Sequence, residues 1–202
     1  MDAKRGETFP LRRREVVEKL LSDRGDLLVV AGLGACAWDI TAVGDNDCNF
    51  PLWGAMGGAV MIGLGIARAQ PDRRVLVLTG DGEMLMGVGS LATVAVKQPA
   101  NLAIVVLDNE RFGETGMQTT HTAARADLAA TAAGLGIEAV ATLTDEAGVD
   151  AVRDRIHNHQ GPSFDVIKIR AENHAFSLPP KDGAYLKDRF RIAVMGKEAA
   201  TL

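Results

Sequence analysis

The sequence predicts an α/β domain built as a doubly wound parallel sheet with helices on both faces. Three observations carry this. Short runs rich in Val, Ile and Leu recur at residues 27–31, 75–79, 102–107 and 164–169. Runs of this length, apolar without alternation, read as strands buried on both faces. Segments with helical character separate them, which is the order of a parallel sheet wound by crossover helices. Small and polar turn residues, Gly80-Asp81-Gly82 and Asp108-Asn109, follow two of the runs. Ligands of such sheets bind just outside the carboxyl ends of the strands.

Taken in order, residues 10–24 form a charged amphipathic helix with Val16, Val17, Leu20 and Leu21 on one side. A strand at 27–31 leads into a glycine-containing loop. Residues 49–52 form a short strand. A helix over 56–69 ends before Pro71, because the residue preceding a proline is pushed out of the helical region. Strand 75–79, helix 84–97 and strand 102–107 make one βαβ unit. Residues 114–126 lack apolar periodicity and read as an irregular loop. Helices near 127–134 and 145–158 flank a strand at 137–141. After the strand at 164–169, a connection over 171–181 contains Pro179-Pro180, and a last helix covers 182–197.

Composition narrows the function. A chain of 202 residues fits one domain, 1–202, with a sizeable core. The net charge of −4 leaves no basic footprint for nucleic acid, and 4% aromatic content argues against a base-stacking surface. The longest apolar stretch, residues 55–67, is too short and too rich in glycine to span a membrane. The N-terminal residues are charged and lack the apolar core of a signal peptide. Cys36 and Cys48 have neither metal nor disulfide spacing. A reducing cytoplasm is the expected location.

The chemistry concentrates in residues 80–113. Asp81 and Asn109 each stand just past a buried strand. If those strands are neighbours, a carboxylate and a carboxamide converge. Such hard oxygen donors suit Mg²⁺, which keeps few protein ligands and takes the rest from substrate phosphates and water. Gly82 lets the backbone turn into the next helix, whose free N–H groups favour a bound phosphate.

Gly80-Asp81-Gly82, its spacing to Asn109-Glu110-Arg111-Phe112-Gly113, and the two strands together resemble the diphosphate-binding domain of thiamine-diphosphate enzymes. The resemblance implies Mg²⁺ ligation by Asp81, by Asn109 and by the backbone carbonyl of Arg111. It places the cofactor against Gly80, Asp81, Gly82, Glu83, Asn109, Arg111, Phe112 and Gly113. Gly54-Ala55-Met56-Gly57-Gly58 resembles the turn whose first glycine carbonyl meets the aminopyrimidine and whose large apolar residue bends the cofactor. Gly54 and Met56 take those roles by resemblance.

Residues 11–120 are similar to the branch that holds the sulfopyruvate and phosphonopyruvate decarboxylases. Asn49-Phe50, Gly89-Ser90-Leu91-Ala92-Thr93 and Thr115-Gly116-Met117-Gln118 carry that likeness. Glu83, the loop Gly34-Ala35-Cys36-Ala37-Trp38, Met117 and His121 depart from the branch pattern. The resemblance implies thiamine diphosphate and Mg²⁺ as cofactors and a small 2-oxo acid as substrate. It also implies a separate pyrimidine-binding (α) subunit carrying the Glu that activates the cofactor, and hence a hetero-oligomer. His121 and Glu114 are the candidate acid–base residues, with Glu83 a further one; Arg111 offers an anion contact.

Two other readings stand beside this one. Gly32-Leu33-Gly34-Ala35-Cys36-Ala37 after a strand matches a dinucleotide fingerprint, which would make the chain an NAD(P)-dependent oxidoreductase. That motif needs a following helix and an acid-ended strand, and the turn-rich residues 41–49 leave no room for a full helix. The glycines are expected to form a loop at the same edge. The other reading is a cofactor-binding scaffold that leaves turnover to its partner.

Overall fold

The computed structural model describes residues 4–198. The chain folds as α1 (Arg13–Leu21), β1 (Leu28–Ala31), α2 (Ala35–Ala42), β2 (Asn49–Pro51), α3 (Ala59–Ala69) and β3 (Val75–Gly80). Then come α4 (Asp81–Met86), α5 (Ser90–Lys97), β4 (Leu102–Asp108), β5 (Arg111–Phe112), β6 (Gln118–Thr119) and α6 (Leu128–Gly134). The chain closes with β7 (Ala139–Leu143), α7 (Glu146–Asn158), β8 (Ser163–Lys168) and α8 (Gly183–Met195).

Six strands make one sheet in the order β2-β1-β3-β4-β8-β7, and every pairing in it is parallel. Successive side chains of a strand point to opposite faces. Thus Leu28, Val30, Val75, Val77, Ile104 and Val106 enter one core with α3, α5 and α6. Val29, Leu76, Leu78, Val105 and Leu107 enter the other with α1, α2 and α7. Both cores are apolar, which is why these strands show no alternation in the sequence. The chain runs outward from β1 to β2 and then returns to β3 on the other side of β1. The reversal opens a crevice above the carboxyl ends of β1 and β3.

Four local features differ from the expectations. Residues 35–42 form a helix, not a loop: Ile40, Cys36 and Ala37 bury on one side of it, and this contact offsets its poor capping. The predicted helix 84–97 is two helices, α4 and α5, broken at Gly87. A Cβ there would lie 2.1 Å from the Gly57 carbonyl oxygen, so two backbones cross where only glycine fits. Helix α3 begins at Ala59 and not at residue 56, because Ala55 and Gly57 adopt positive φ in the preceding turn. The strand expected at 137–141 lies two residues later, at Ala139–Leu143.

Candidate active site

The register of β3 and β4 sets the first part of the site. Gly80 pairs with Leu107, so the residues that follow, Asp81 at the start of α4 and Asp108 at the end of β4, lie side by side. Asp81 is the first residue of α4 and is buried. Its Oδ2 accepts hydrogen bonds from the Thr120 hydroxyl and from Thr122 Oγ1 at 3.1 Å. Thr122 Oγ1 also lies 2.8 Å from Asp108 Oδ1. A hydroxyl carries one proton and serves one carboxylate at a time. Burial first, and the neighbouring Asp108 charge second, push the Asp81 carboxyl up to about 7 against the pull of the two threonines. A hard divalent cation relieves this crowding, so the donor set fits Mg²⁺.

Asp108 is held by the Glu110 N–H at 3.0 Å and by Lys168 Nζ at 2.6 Å. Lys168 also reaches Glu110 at 3.0 Å, and Arg5 pairs with Glu110 while donating to the Thr122 carbonyl at 3.0 Å. The Asn109 side-chain oxygen accepts the Arg111 N–H at 2.9 Å, an Asx-turn that fixes residues 109–111. The Arg111 guanidinium donates to the Glu110 carbonyl at 2.9 Å. Antiparallel pairing of Arg111 with Thr119 then brings Thr120 and Thr122 back to Asp81. Among the described residues, no group of three or more His, Cys, Asp or Glu side chains is placed to hold a metal by itself.

A cavity of about 420 Å³ opens beside these residues. Met56, Gly80, Asp81, Gly82, Glu83, Asn109, Arg111, Phe112, Gly113 and Glu114 all line it. Phe112 lies over Gly82, where a Cβ would sit 2.6 Å from the ring. Glu83 is buried, its Oε2 accepting from Thr79 Oγ1 at 2.8 Å beside the Gly57 and Leu33 amides; burial raises its pKa against those partners. This explains Gly32, since a Cβ there would lie 1.6 Å from the Glu83 carboxylate. Gly34 makes way for Glu114 in the same manner, at 2.7 Å. Partial desolvation raises the Glu114 pKa, opposed by Arg13 and by the Ala35 amide at the start of α2. The two glycines that resembled a dinucleotide fingerprint therefore make room for carboxylates. A helix does follow them, contrary to expectation, and the expected short strand comes after it, but β2 ends in Pro51 and carries no acid.

Two predicted site residues lie elsewhere. His121 is exposed and meets Phe112 edge-on at 6.4 Å, outside the cavity lining. Gly54 is exposed, with no atom within 4 Å of an added Cβ. The cavity also takes in Cys36 and Trp38, from the loop that departs from the branch pattern, and it gathers Arg13, Glu172, His174 and Phe176, for which the sequence offered no site role. Arg13 left one trace: it shares the buried side of α1 with Val16, Val17 and Leu20, and it pairs with the fully buried Asp39 of α2. His174 sits in an irregular segment with no periodicity to betray it.

The comparisons agree with this geometry. The family described as "Thiamine pyrophosphate enzyme, C-terminal TPP binding domain" matches residues 41–167. The β subunit of sulfopyruvate decarboxylase from Methanothermobacter thermautotrophicus is 34% identical over 92% of this chain and 97% of that protein. Phosphonopyruvate decarboxylase from Streptomyces viridochromogenes is 36% identical over 94% of this chain and 48% of its own length. Benzoylformate decarboxylase from Polynucleobacter necessarius, at 19% identity, shares the fold with a TM-score of 0.67 over 83% of this chain and 34% of that one. The strand-end carboxylate, the glycine cradle and these likenesses meet in one conclusion: this chain belongs to the thiamine pyrophosphate enzymes and carries their C-terminal TPP binding domain.

Proposed function

We propose that this chain is the diphosphate-binding subunit of a thiamine-diphosphate- and Mg²⁺-dependent decarboxylase of small 2-oxo acids, completed by a separate pyrimidine-binding subunit. The observation that carries the reading is the convergence of Asp81 and Asn109 at neighbouring strand ends, on the wall of one cavity. Asp81, Asn109 and the Arg111 carbonyl would hold Mg²⁺. Gly80, Gly82, Gly113 and the ring of Phe112 shape the wall against which the diphosphate rests. When bound, thiamine diphosphate supplies the electron sink that lets the carboxylate leave as CO₂.

Met56 is 42% exposed at the cavity wall, although it is large and apolar. The reading gives it a cofactor ring to cover, and the partner subunit the rest of that face. Trp53, Met61 of α3 and Met86 of α4 are further exposed large apolar residues. The relative that spans 97% of its own length against this chain is called a β subunit, which supports a separate partner. Among the described residues no helix is long and apolar enough to cross a membrane. Glu114, set on the cavity wall between Arg13 and the Ala35 amide, is the acid–base candidate on the Asp81 side. The names of the relatives favour a 2-oxo acid with an anionic tail, such as a sulfonate or phosphonate.

Calorimetric titration tests the metal and cofactor assignment. The chain, purified with its partner, binds thiamine diphosphate only with Mg²⁺ present, and Asp81→Ala abolishes that binding without unfolding the protein. Metal-dependent binding retained by Asp81→Ala would sink the assignment.

A further inference from the structure

We infer that His174 is the group that delivers a proton to the substrate carbon after CO₂ has left, and that Glu172 positions it. The inference rests on the decarboxylase reading above and names a residue for a step that reading leaves open. Decarboxylation breaks the bond between the carboxylate and the carbonyl carbon. The electron pair of that bond must end in a new C–H bond before an aldehyde can leave. The net change is 2-oxo acid anion plus H⁺ giving aldehyde plus CO₂, so each turnover consumes one proton at carbon.

Among the described residues His174 is the one imidazole lining the cavity that also contains Asp81 and Asn109. Its Nε2 lies 3.1 Å from Glu172 Oε1. Glu172 is gripped from the other side by Arg12, with Nη2 at 2.7 Å from Oε2. Burial alone would raise the Glu172 pKa, but Arg12 and His174 outweigh burial and lower it, so the carboxylate stays charged beside the ring. A carboxylate on one ring nitrogen fixes the orientation of the imidazole and leaves the other nitrogen without that partner. His174 is partly exposed, with 20% of its side chain open, so it can recover a proton from water.

The segment that carries the pair is pinned. Phe176 stands edge-on to Trp38 with ring centroids 4.6 Å apart, and the Pro180 carbonyl accepts from Trp53 Nε1 at 2.9 Å. An imidazole on this segment is therefore held on the cavity wall. His121, which the sequence singled out for acid–base work, stands outside the lining.

The experiment uses the complex loaded with thiamine diphosphate and Mg²⁺, with 3-sulfopyruvate and 3-phosphonopyruvate as probes. CO₂ and aldehyde are followed separately in single turnovers. His174→Asn should bind cofactor like the wild type and release CO₂ at a near-normal rate. Aldehyde release should fall about 100-fold or more, the scale of a lost general acid. Glu172→Ala should move toward the same behaviour, while Glu172→Gln, which keeps an oxygen acceptor, restores most of the rate. Aldehyde release that follows wild type in His174→Asn, or that falls in step with CO₂, overturns the inference and leaves the decarboxylase reading standing. So does a His174→Asn protein that no longer binds cofactor, since His174 would then be part of the cradle. A wild-type complex that releases no CO₂ from either probe overturns the decarboxylase reading itself, and this inference with it.

Discussion

At the Asp81 end of the cavity the functional groups hang from the last residues of adjacent sheet strands. At the His174 end they sit on an irregular connection between β8 and α8. The first end is fixed by register: Gly80 opposite Leu107 leaves Asp81 and Asp108 no choice of neighbour. Buried bonds from Thr120, Thr122 and Lys168 then lock it. The second end is fixed by side-chain contacts: Arg12 with Glu172, Arg14 with the Ala175 carbonyl, the Phe176–Trp38 edge and the bond to Pro180. The proposed metal role of the first end needs a rigid arrangement, which strand ends supply. The contrast teaches where mutations should cost stability and where they should cost only turnover.

The largest effect that sharpens the contrast is on binding. Asp81→Asn should reduce Mg²⁺-dependent cofactor binding below detection by calorimetry. It should leave the melting temperature of the metal-free chain unchanged or higher, because it removes a buried charge beside Asp108. A large fall in melting temperature together with retained binding would show that Asp81 is only a structural acid.

Next comes packing beneath the same end. Gly87→Ala drives a Cβ to 2.1 Å from the Gly57 carbonyl, a backbone atom that cannot swing away. Overpacking of this kind costs roughly 1–3 kcal/mol. For a chain of this size that is a fall of about 2–4 °C per kcal/mol, read by calorimetry. Gly54→Ala has open space around its Cβ and should leave the melting temperature of the free chain alone. Equal destabilisation by the two would break the distinction between a crossing of backbones and an exposed turn.

A third test removes one hydroxyl. Thr122→Val deletes the group shared by Asp81 and Asp108, leaving buried acceptors short of a donor at a cost of about 1–3 kcal/mol. Because Thr122 bonds Asp81, the proposed metal ligand, Mg²⁺ affinity should fall by about 10–100-fold. Titration of Mg²⁺ into the cofactor-bearing complex checks this.

The smallest effect belongs to the His174 end. Phe176→Ala removes an edge-on aromatic contact of roughly 0.5–1.5 kcal/mol from a residue that is 73% exposed. Chemical denaturation should register at most that change, with Mg²⁺ binding unaltered and steady-state turnover lowered. A loss of Mg²⁺ affinity comparable to that of Thr122→Val would mean the two ends are one rigid unit after all.

The sequence alone determined the sheet, the helices that wind it and the strand ends that carry Asp81 and Asn109. Each of these follows from local patterns: apolar runs that bury on both faces, and polar turn residues placed right after them. Local pattern failed where a neighbour distant in the chain decided the outcome. Residues 35–42 form a helix because β1 and α1 cover it, and residues 84–97 break because Gly57 passes against Gly87. Gly32 and Gly34 imitated a dinucleotide motif because the carboxylates that need their space, Glu83 and Glu114, lie far along the chain. The same holds for Arg13, Glu172 and His174. Nothing in their spacing announces a site, because they reach one cavity from opposite ends of the sequence, and only the folded sheet brings them to the same edge.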